Sequence, residues 1–231
     1  FTTNYDWDIP LYDIGHTFRN YGYIYGIGTI NIVTLDWGSL DIIFGNIELN
    51  VNIYTLGHTS ANRIIKMISD GQFANGLQIR SNSATYTQSL DLNGHNLTCS
   101  SLTIGTRGIL ENTSGTVSTL TTGSITVGNS AFFATTNINF DKSKVVGQTL
   151  TWSAASAGNA SNASNWSLLR APFYNDNIVF NDTSVVDCTW DVGLDSLGTF
   201  TIAADYTGTI TQSSDMHISG YSQNGGTFVG S

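Results

Sequence analysis

The feature that most constrains this chain is a rhythm in residues 89–140. Apolar residues alternate with polar ones in short runs (Leu90 and Leu92, Leu102 and Ile104, Ile125 and Val127, Ile138 and Phe140), and Gly, Asn or Ser-Gly interrupts each run. Period-two alternation between turn residues marks short, half-buried strands. The breaks recur at intervals of about 8–12 residues, which suits many short strands stacked regularly. The rhythm returns near the end of the chain: residues 196–202 echo residues 100–104, and residues 206–211, 217–220 and 225–228 follow at similar intervals. A unit this small cannot bury its own apolar face, but stacked units can. The expected fold is all-β with many short strands, either a β-solenoid of the parallel β-helix kind or a stacked β-sandwich repeat array.

Composition narrows the class. Charged residues are 11% of the chain, against about 25% in typical soluble domains. Ser, Thr, Asn and Gly take their place, while aromatic and β-branched residues stay plentiful, so the chain has the means to build a core. The 8 Lys and Arg against 17 Asp and Glu give a net charge of −9, with no basic run for phosphate contacts, which argues against a nucleic-acid partner. No apolar run approaches the roughly 18 residues of a membrane-spanning helix. No signal peptide is legible at Phe1, and the chain ends within the repeat rhythm, as an excised or mature piece of a longer protein would. An extracellular, cell-surface location fits this hydroxyl- and amide-rich composition.

The chain reads as three regions. Residues 1–80 form an aromatic-rich β region, residues 81–150 a β-strand repeat unit, and residues 151–231 a second repeat unit. Within the first, Tyr5, Trp7, Tyr21, Tyr23 and Tyr25 belong to the densest aromatic cluster, and the alternating tyrosines share one face of a strand. With Trp37 they are candidates for a subunit interface or for stacking on sugar rings; the competing reading is a strand that covers the core. Residues 27–57 alternate strongly and read as three or four strands whose free edge could pair with another chain. Residues 60–72 fit a short helix, with Ala61, Ile64, Ile65 and Ile68 on one face, but their β-like surroundings favour a strand over residues 63–69. Residues 153–165 are small and polar and read as the linker or loop before a second unit that starts at Trp166.

Asn165-Trp166-Ser167, then Pro172, then Asn175-Asp176-Asn177-Ile178-Val179-Phe180 resembles the opening of a unit found in large bacterial and archaeal surface proteins built of β-strand repeats, autotransporter-type adhesins among them. Residues 90–98, 197–202 and 206–228, with Gly225-Gly226-Thr227-Phe228, share the style. The resemblance covers roughly residues 75–231 and implies β-solenoids or strand-rich stalks at the cell surface.

Catalytic signatures are sparse. His16, His58, His95 and His217 are scattered without zinc-ligand spacing, and neither a G-x-S-x-G elbow nor a phosphate-binding loop occurs. The carboxylate pairs Asp36/Asp41 and Asp187/Asp191 are the nearest approach to a glycosidase dyad. The chain is therefore expected not to be an enzyme. Calcium is the one cofactor the sequence suggests, through Asp6, Asp8 and Asp13 near the start and Asp176 and Asp182 around one short strand. The competing use of these residues is in turns and caps. Cys99 and Cys188 are the only cysteines and could form one disulfide or stay as two buried thiols. Six N-x-S/T sequons, at Asn96, Asn112, Asn159, Asn162, Asn165 and Asn181, are glycosylation candidates.

These features converge on an extracellular structural protein. It would be a subunit or segment of a surface layer, sheath, filament or adhesin stalk that self-associates through β-strand contacts. The alternative is a carbohydrate-binding module or adhesin tip using surface aromatics, and the third a polysaccharide-cleaving β-helix enzyme.

Overall fold

The computed structural model of the chain is nearly all strand, coiled as a β-solenoid. It describes residues 62–230 apart from 68, 69 and 82, together with the upstream strand segments Thr2–Thr3, Tyr25–Gly26, Gly28–Asn31, Ile47–Asn50 and Ile53–Leu56. Two compact units form, Phe1–Thr126 with Ala131–Lys144, and Val127–Ser130 with Val145–Ser231.

In the first unit, strands alternate between two sheets. Arg63–Lys66, Gln88–Asp91, Gly108–Glu111 and Phe132–Phe133 line up in one, and Gly71–Ile79, Leu97–Ile104, Ser118–Thr122 and Ile138–Phe140 in the other. Every pairing is parallel: Leu90 sits between Ile65 and Leu110, and Leu97 between Gly71 and Leu120. A parallel neighbour must lie a full turn away, because a tight hairpin can only reverse direction. The chain meets this by coiling, so each rung carries two or three short strands. That is why turn residues recur at about half the rung length. The strand Arg63–Lys66 settles the helix-or-strand ambiguity at residues 60–72 in favour of strand. Gly28–Asn31 and Ile47–Asn50 pair in parallel with each other, and Ile47–Asn50 pairs with Gly71–Ile79, so the coiling extends upstream of the repeats recognised in the sequence.

Side chains obey the pleat. Leu97–Ile104 buries Leu97, Cys99, Leu102 and Ile104 and exposes Thr98 and Ser100. Its first half pairs with Leu120, Thr121 and Thr122. Past the bend at Ser100-Ser101, Leu102 donates its N–H to Ser124 O at 2.8 Å as Ile125–Val127 takes over. The corner after Gln88–Asp91 needs two left-handed residues in a row, Asn93 (φ 49°) and Gly94 (φ 84°). Asn tolerates this region and Gly enters it freely, and a Cβ at Gly94 would also meet Ser114 Oγ at 2.8 Å.

The second unit stacks four strands in each of two sheets. One holds Thr149–Thr151, Asn177–Phe180, Leu194–Ile202 and Met216–Gln223; the other holds Gly158–Asn159, Cys188–Trp190, Thr209–Gln212 and Thr227–Val229. Register is tight: Ile178 faces Phe200, which faces Tyr221, and Cys188 faces Ile210, which faces Phe228. Rung spacing runs from 18 residues (Ile210 to Phe228) to 30 (Gly158 to Cys188), so the repeat is structural rather than a fixed sequence period. The core is aromatic. Trp152, Trp166, Trp190, Phe180, Phe200 and Tyr206 are all fully buried. Their rings meet edge-on or tilted, with Trp152–Trp166 at 5.1 Å and Trp190–Phe200 at 5.3 Å between centroids.

The sequence placed a linker or loop at residues 153–165; in the structure the segment is mostly loop and turn, but it is built into the second unit. Ala154, Ala160 and Trp166 are core residues, and Gly158–Asn159 is a strand of the second unit's first rung. Small polar residues predominate there because the segment wraps two indole rings, leaving space only for alanine beside them. We expect Phe180→Ala to destabilise this unit by about 3–5 kcal/mol, read as an early red shift of tryptophan fluorescence on denaturation. A loss below about 1 kcal/mol would contradict the packing described.

Candidate functional surfaces

Polar side chains of the described residues gather at the corners, where they carry hydrogen bonds from rung to rung. Asp70 Oδ1 accepts from Asn96 N at 2.8 Å, and Asn96 Oδ1 in turn accepts from Thr119 N at 2.8 Å. Asp187 Oδ1 accepts from Thr209 N at 2.7 Å, and Asn177 Oδ1 from Thr199 N at 2.9 Å. Asn112 is buried, and its Nδ2 donates to Thr116 O, Ser118 Oγ and Asn137 O. Each such bond contributes about 0.5–1.5 kcal/mol, and those that reach the adjacent rung also fix which rung lies above which.

Two carboxylates are more deeply committed. Asp91 has no exposed surface; its carboxylate accepts from Asn93 N, Thr113 N and Thr113 Oγ1 and lies 3.5 Å from Lys66 Nζ. Burial works to raise its pKa, but the Thr113 hydroxyl, the two backbone N–H groups and Lys66 outweigh it and hold the carboxyl below its usual 3.8. Asp176 pairs with Arg170 through both oxygens, at 2.6 and 3.0 Å, and also accepts from Phe173 N and Gln148 N. Both side chains of this pair are at most 4% exposed, so the fork holds residues 170–176 against the first rung.

The sequence candidates distribute as follows. Asp176, a calcium candidate, is paired with the Arg170 guanidinium; Asp182, the other, is exposed in a turn. No group of three or more His, Cys, Asp or Glu able to hold a metal occurs among the described residues. Asp6, Asp8 and Asp13 lie outside them, as do Tyr5, Trp7, Tyr21, Tyr23, Trp37 and the pair Asp36/Asp41. Tyr25 belongs to a strand, Tyr25–Gly26, paired in parallel with Thr2–Thr3. Asp187 and Asp191 are spent on Thr209 N and on the N–H and hydroxyl of Ser161. Of the two states the sequence left open for the cysteines, the structure shows two thiols rather than a disulfide. Cys99 and Cys188 are buried free thiols, each at an inward position in the core of a different unit. Burial raises both thiol pKa values, that of Cys188 to about 12 with Asp191 adding to the effect.

Sugar-stacking platforms need exposed aromatic faces, yet Trp152, Trp166 and Trp190 are buried. Their indole N–H groups donate to Val186 O, Ala160 O and Val192 O. One outward row, Ile64, Ser89, Ile109 and Phe132 on the first unit, is largely apolar with Ile64 and Phe132 exposed, whereas three others are neutral and mostly hydroxyl- or amide-bearing. Gln72, Thr98 and Thr121 form one row on the first unit. Thr151, Val179, Thr201 and Ser222 form another on the second, with Asn159, Thr189, Thr211 and Val229 across the other sheet.

Among the described strands, the second unit has an unpaired edge at each end, at Thr149–Thr151 and Gly158–Asn159 in its first rung and at its last rung. No described strand pairs with the outer edge of Met216–Gln223 or of Thr227–Val229. Met216, Ile218 and Phe228 are only partly buried against the core, and Tyr221 and Val229 remain 49% and 44% exposed. Tyr221 stacks on Phe200 with ring centroids 6.2 Å apart and meets Phe228 in a T-shaped contact at 6.1 Å. Among the described residues no helix is long and apolar enough to cross a membrane. Comparison with known proteins adds nothing to this geometry: no family model, curated protein or solved structure matches the chain.

Two stability predictions follow from the buried polar groups. Asp176→Asn strands the Arg170 charge and should cost about 3–5 kcal/mol, whereas the double replacement Arg170→Met with Asp176→Leu should cost less; equal losses in thermal melts would show that the pair's charge is irrelevant. The pH profile should fall at both ends. Asp91 binds its proton more weakly folded than unfolded, so its contribution is present above about pH 4 and lost on further acidification. Cys188 and Tyr206 hold their protons more tightly folded, so theirs is complete below pH 9 and fades as the medium becomes more alkaline. Asp91→Asn should flatten the acid limb and leave the alkaline limb unchanged; an unaltered acid limb would contradict this assignment.

Proposed function

We propose that this chain is a structural segment of an extracellular β-solenoid, serving a stalk, sheath, filament or surface layer, and that the edge of its last described rung accepts a further parallel rung, which a second copy supplies when the chain is purified alone. The open edge of Met216–Gln223 and Thr227–Val229 carries this reading. It offers unpaired backbone groups beside half-exposed apolar side chains, the combination that strand addition satisfies. A further rung would give Tyr221 and Phe228 the second contact layer that Phe200 and Ile210 already have.

The neutral outer rows support the same reading. A face of Thr, Ser, Asn and Gln carries little charge to oppose close lateral packing, whereas a strongly charged one would repel its copies. Of the two candidate carboxylate pairs, Asp187 and Asp191 are engaged in rung-to-rung bonds, and Asp36 and Asp41 lie outside the described residues. The test is sedimentation and negative-stain electron microscopy of the purified chain across a concentration series. We expect rods or filaments that lengthen with concentration, and their loss in a Tyr221→Lys, Val229→Lys double variant that keeps its β circular dichroism. A wild-type chain that stays monodisperse at every concentration, or a variant that assembles equally well, would refute the proposal.

A further inference from the structure

The six sequons are not equivalent once folded. Asn112 is 7% exposed and its Nδ2 is spent on three acceptors. Asn96 Nδ2 donates to Asp70 Oδ2 at 3.2 Å, and Asn165 Nδ2 to Asn159 O at 3.0 Å. A glycan on any of these three replaces an amide proton next to the very atoms that hold a corner together. In Asn159-Ala160-Ser161 the Asn is exposed, but the Ser161 hydroxyl is held by Asp191 Oδ2 at 2.6 Å.

Asn162 and Asn181 share a different geometry. Asn162 caps the turn Ala163–Asn165: its Oδ1 accepts from Ser164 N at 3.1 Å and from Ser164 Oγ at 2.9 Å. Asn181 Oδ1 accepts from Thr183 N at 3.0 Å. In both, the carbonyl oxygen fastens the side chain back onto the third sequon residue, and the Nδ2 takes no part in that contact. The residues between and after, Ala163, Ser164, Asp182 and Thr183, are all exposed, leaving room around each amide.

We infer that Asn162 and Asn181 are the N-glycan attachment sites of the folded chain. The inference rests on the extracellular reading above, since the transfer takes place on exported chains. The donor is an oligosaccharide linked through phosphate to a polyprenyl lipid. Asn Nδ2 forms a bond to the anomeric carbon, the carbon–oxygen bond to the phosphate breaks, and the amide proton leaves as the lipid phosphate departs with the electron pair. The modified amide keeps its Oδ1, so the turn bonds from Ser164 and Thr183 survive. Placed at two separate corners of the second unit, the glycans leave the inward aromatic residues and the last-rung edge unmodified.

The test is expression of the full chain through a eukaryotic secretory pathway and glycopeptide mapping of its soluble, protease-resistant fraction. We expect glycan at Asn162 and Asn181, loss of the first alone in Ser164→Ala and of the second alone in Thr183→Ala, and none at Asn112 in that fraction. Bare Asn162 and Asn181, or an occupied Asn112 in the folded fraction, would overturn the inference. Because the host supplies both the compartment and the transferase, that failure concerns the sites alone, whereas loss of concentration-dependent assembly concerns the structural role alone.

Discussion

Everything in this structure depends on parallel, in-register stacking of one rung on the next. A single rung of two or three short strands has one layer of inward side chains and no means of enclosing them. Stacking supplies the missing layers: Phe200 is buried because Ile178 lies on one side of it and Tyr221 on the other. Stacking also satisfies the backbone, since each inner strand bonds on both edges. Energetics of this kind are nearly one-dimensional, with each rung stabilised by its neighbours and the terminal rung stabilised least. The half-exposed Met216, Ile218 and Phe228 are the direct expression of that rule.

The corners decide register. Apolar alternation alone would tolerate slippage by two residues, because inward positions would stay inward. The side chains of Asp70, Asn96, Asp187 and Asn177 each select one N–H on the adjacent rung and so exclude such slips. The Arg170–Asp176 fork does the same for the longest excursion, where the rung-to-rung spacing reaches 30 residues. Gly147 belongs to this arrangement as well, since a Cβ there would run into the Asn175 carbonyl.

Much of the fold was legible in the sequence because burial follows the pleat. The alternation at Leu97, Cys99, Leu102 and Ile104 reports inward positions directly, and the intervals between Gly- and Asn-containing breaks report half a rung. The role of residues 153–165 was not legible. Tryptophans packed edge-on need small neighbours, and small polar residues read as a linker when the indoles that require them are not yet placed. The ion pair of Asp176 was not legible for a related reason. Acidic residues around a strand fit calcium as well as they fit an ion pair, and its partner became evident only when the chain brought Arg170 within 2.6 Å. The scarcity of basic residues was the available signal: a solitary Arg beside Ala171 and Pro172 points to a specific partner. The interface candidates Trp7 and Trp37 fall outside the described residues, so the surface proposed for association, the last-rung edge, is one that the sequence reading did not single out.

Amide hydrogen exchange across Met216–Gln223, followed from dilute to concentrated protein, tests the central claim most directly. In a parallel strand only alternate N–H groups point to a given neighbour. With Leu194–Ile202 on one side, half of these amides are bonded within the chain and half face the open edge. The account predicts two classes: amides facing Leu194–Ile202 protected at every concentration, and edge-facing amides that exchange rapidly when dilute and become protected as the chain associates. Uniform protection in the dilute monomer, or edge amides that stay fast at every concentration, would contradict it.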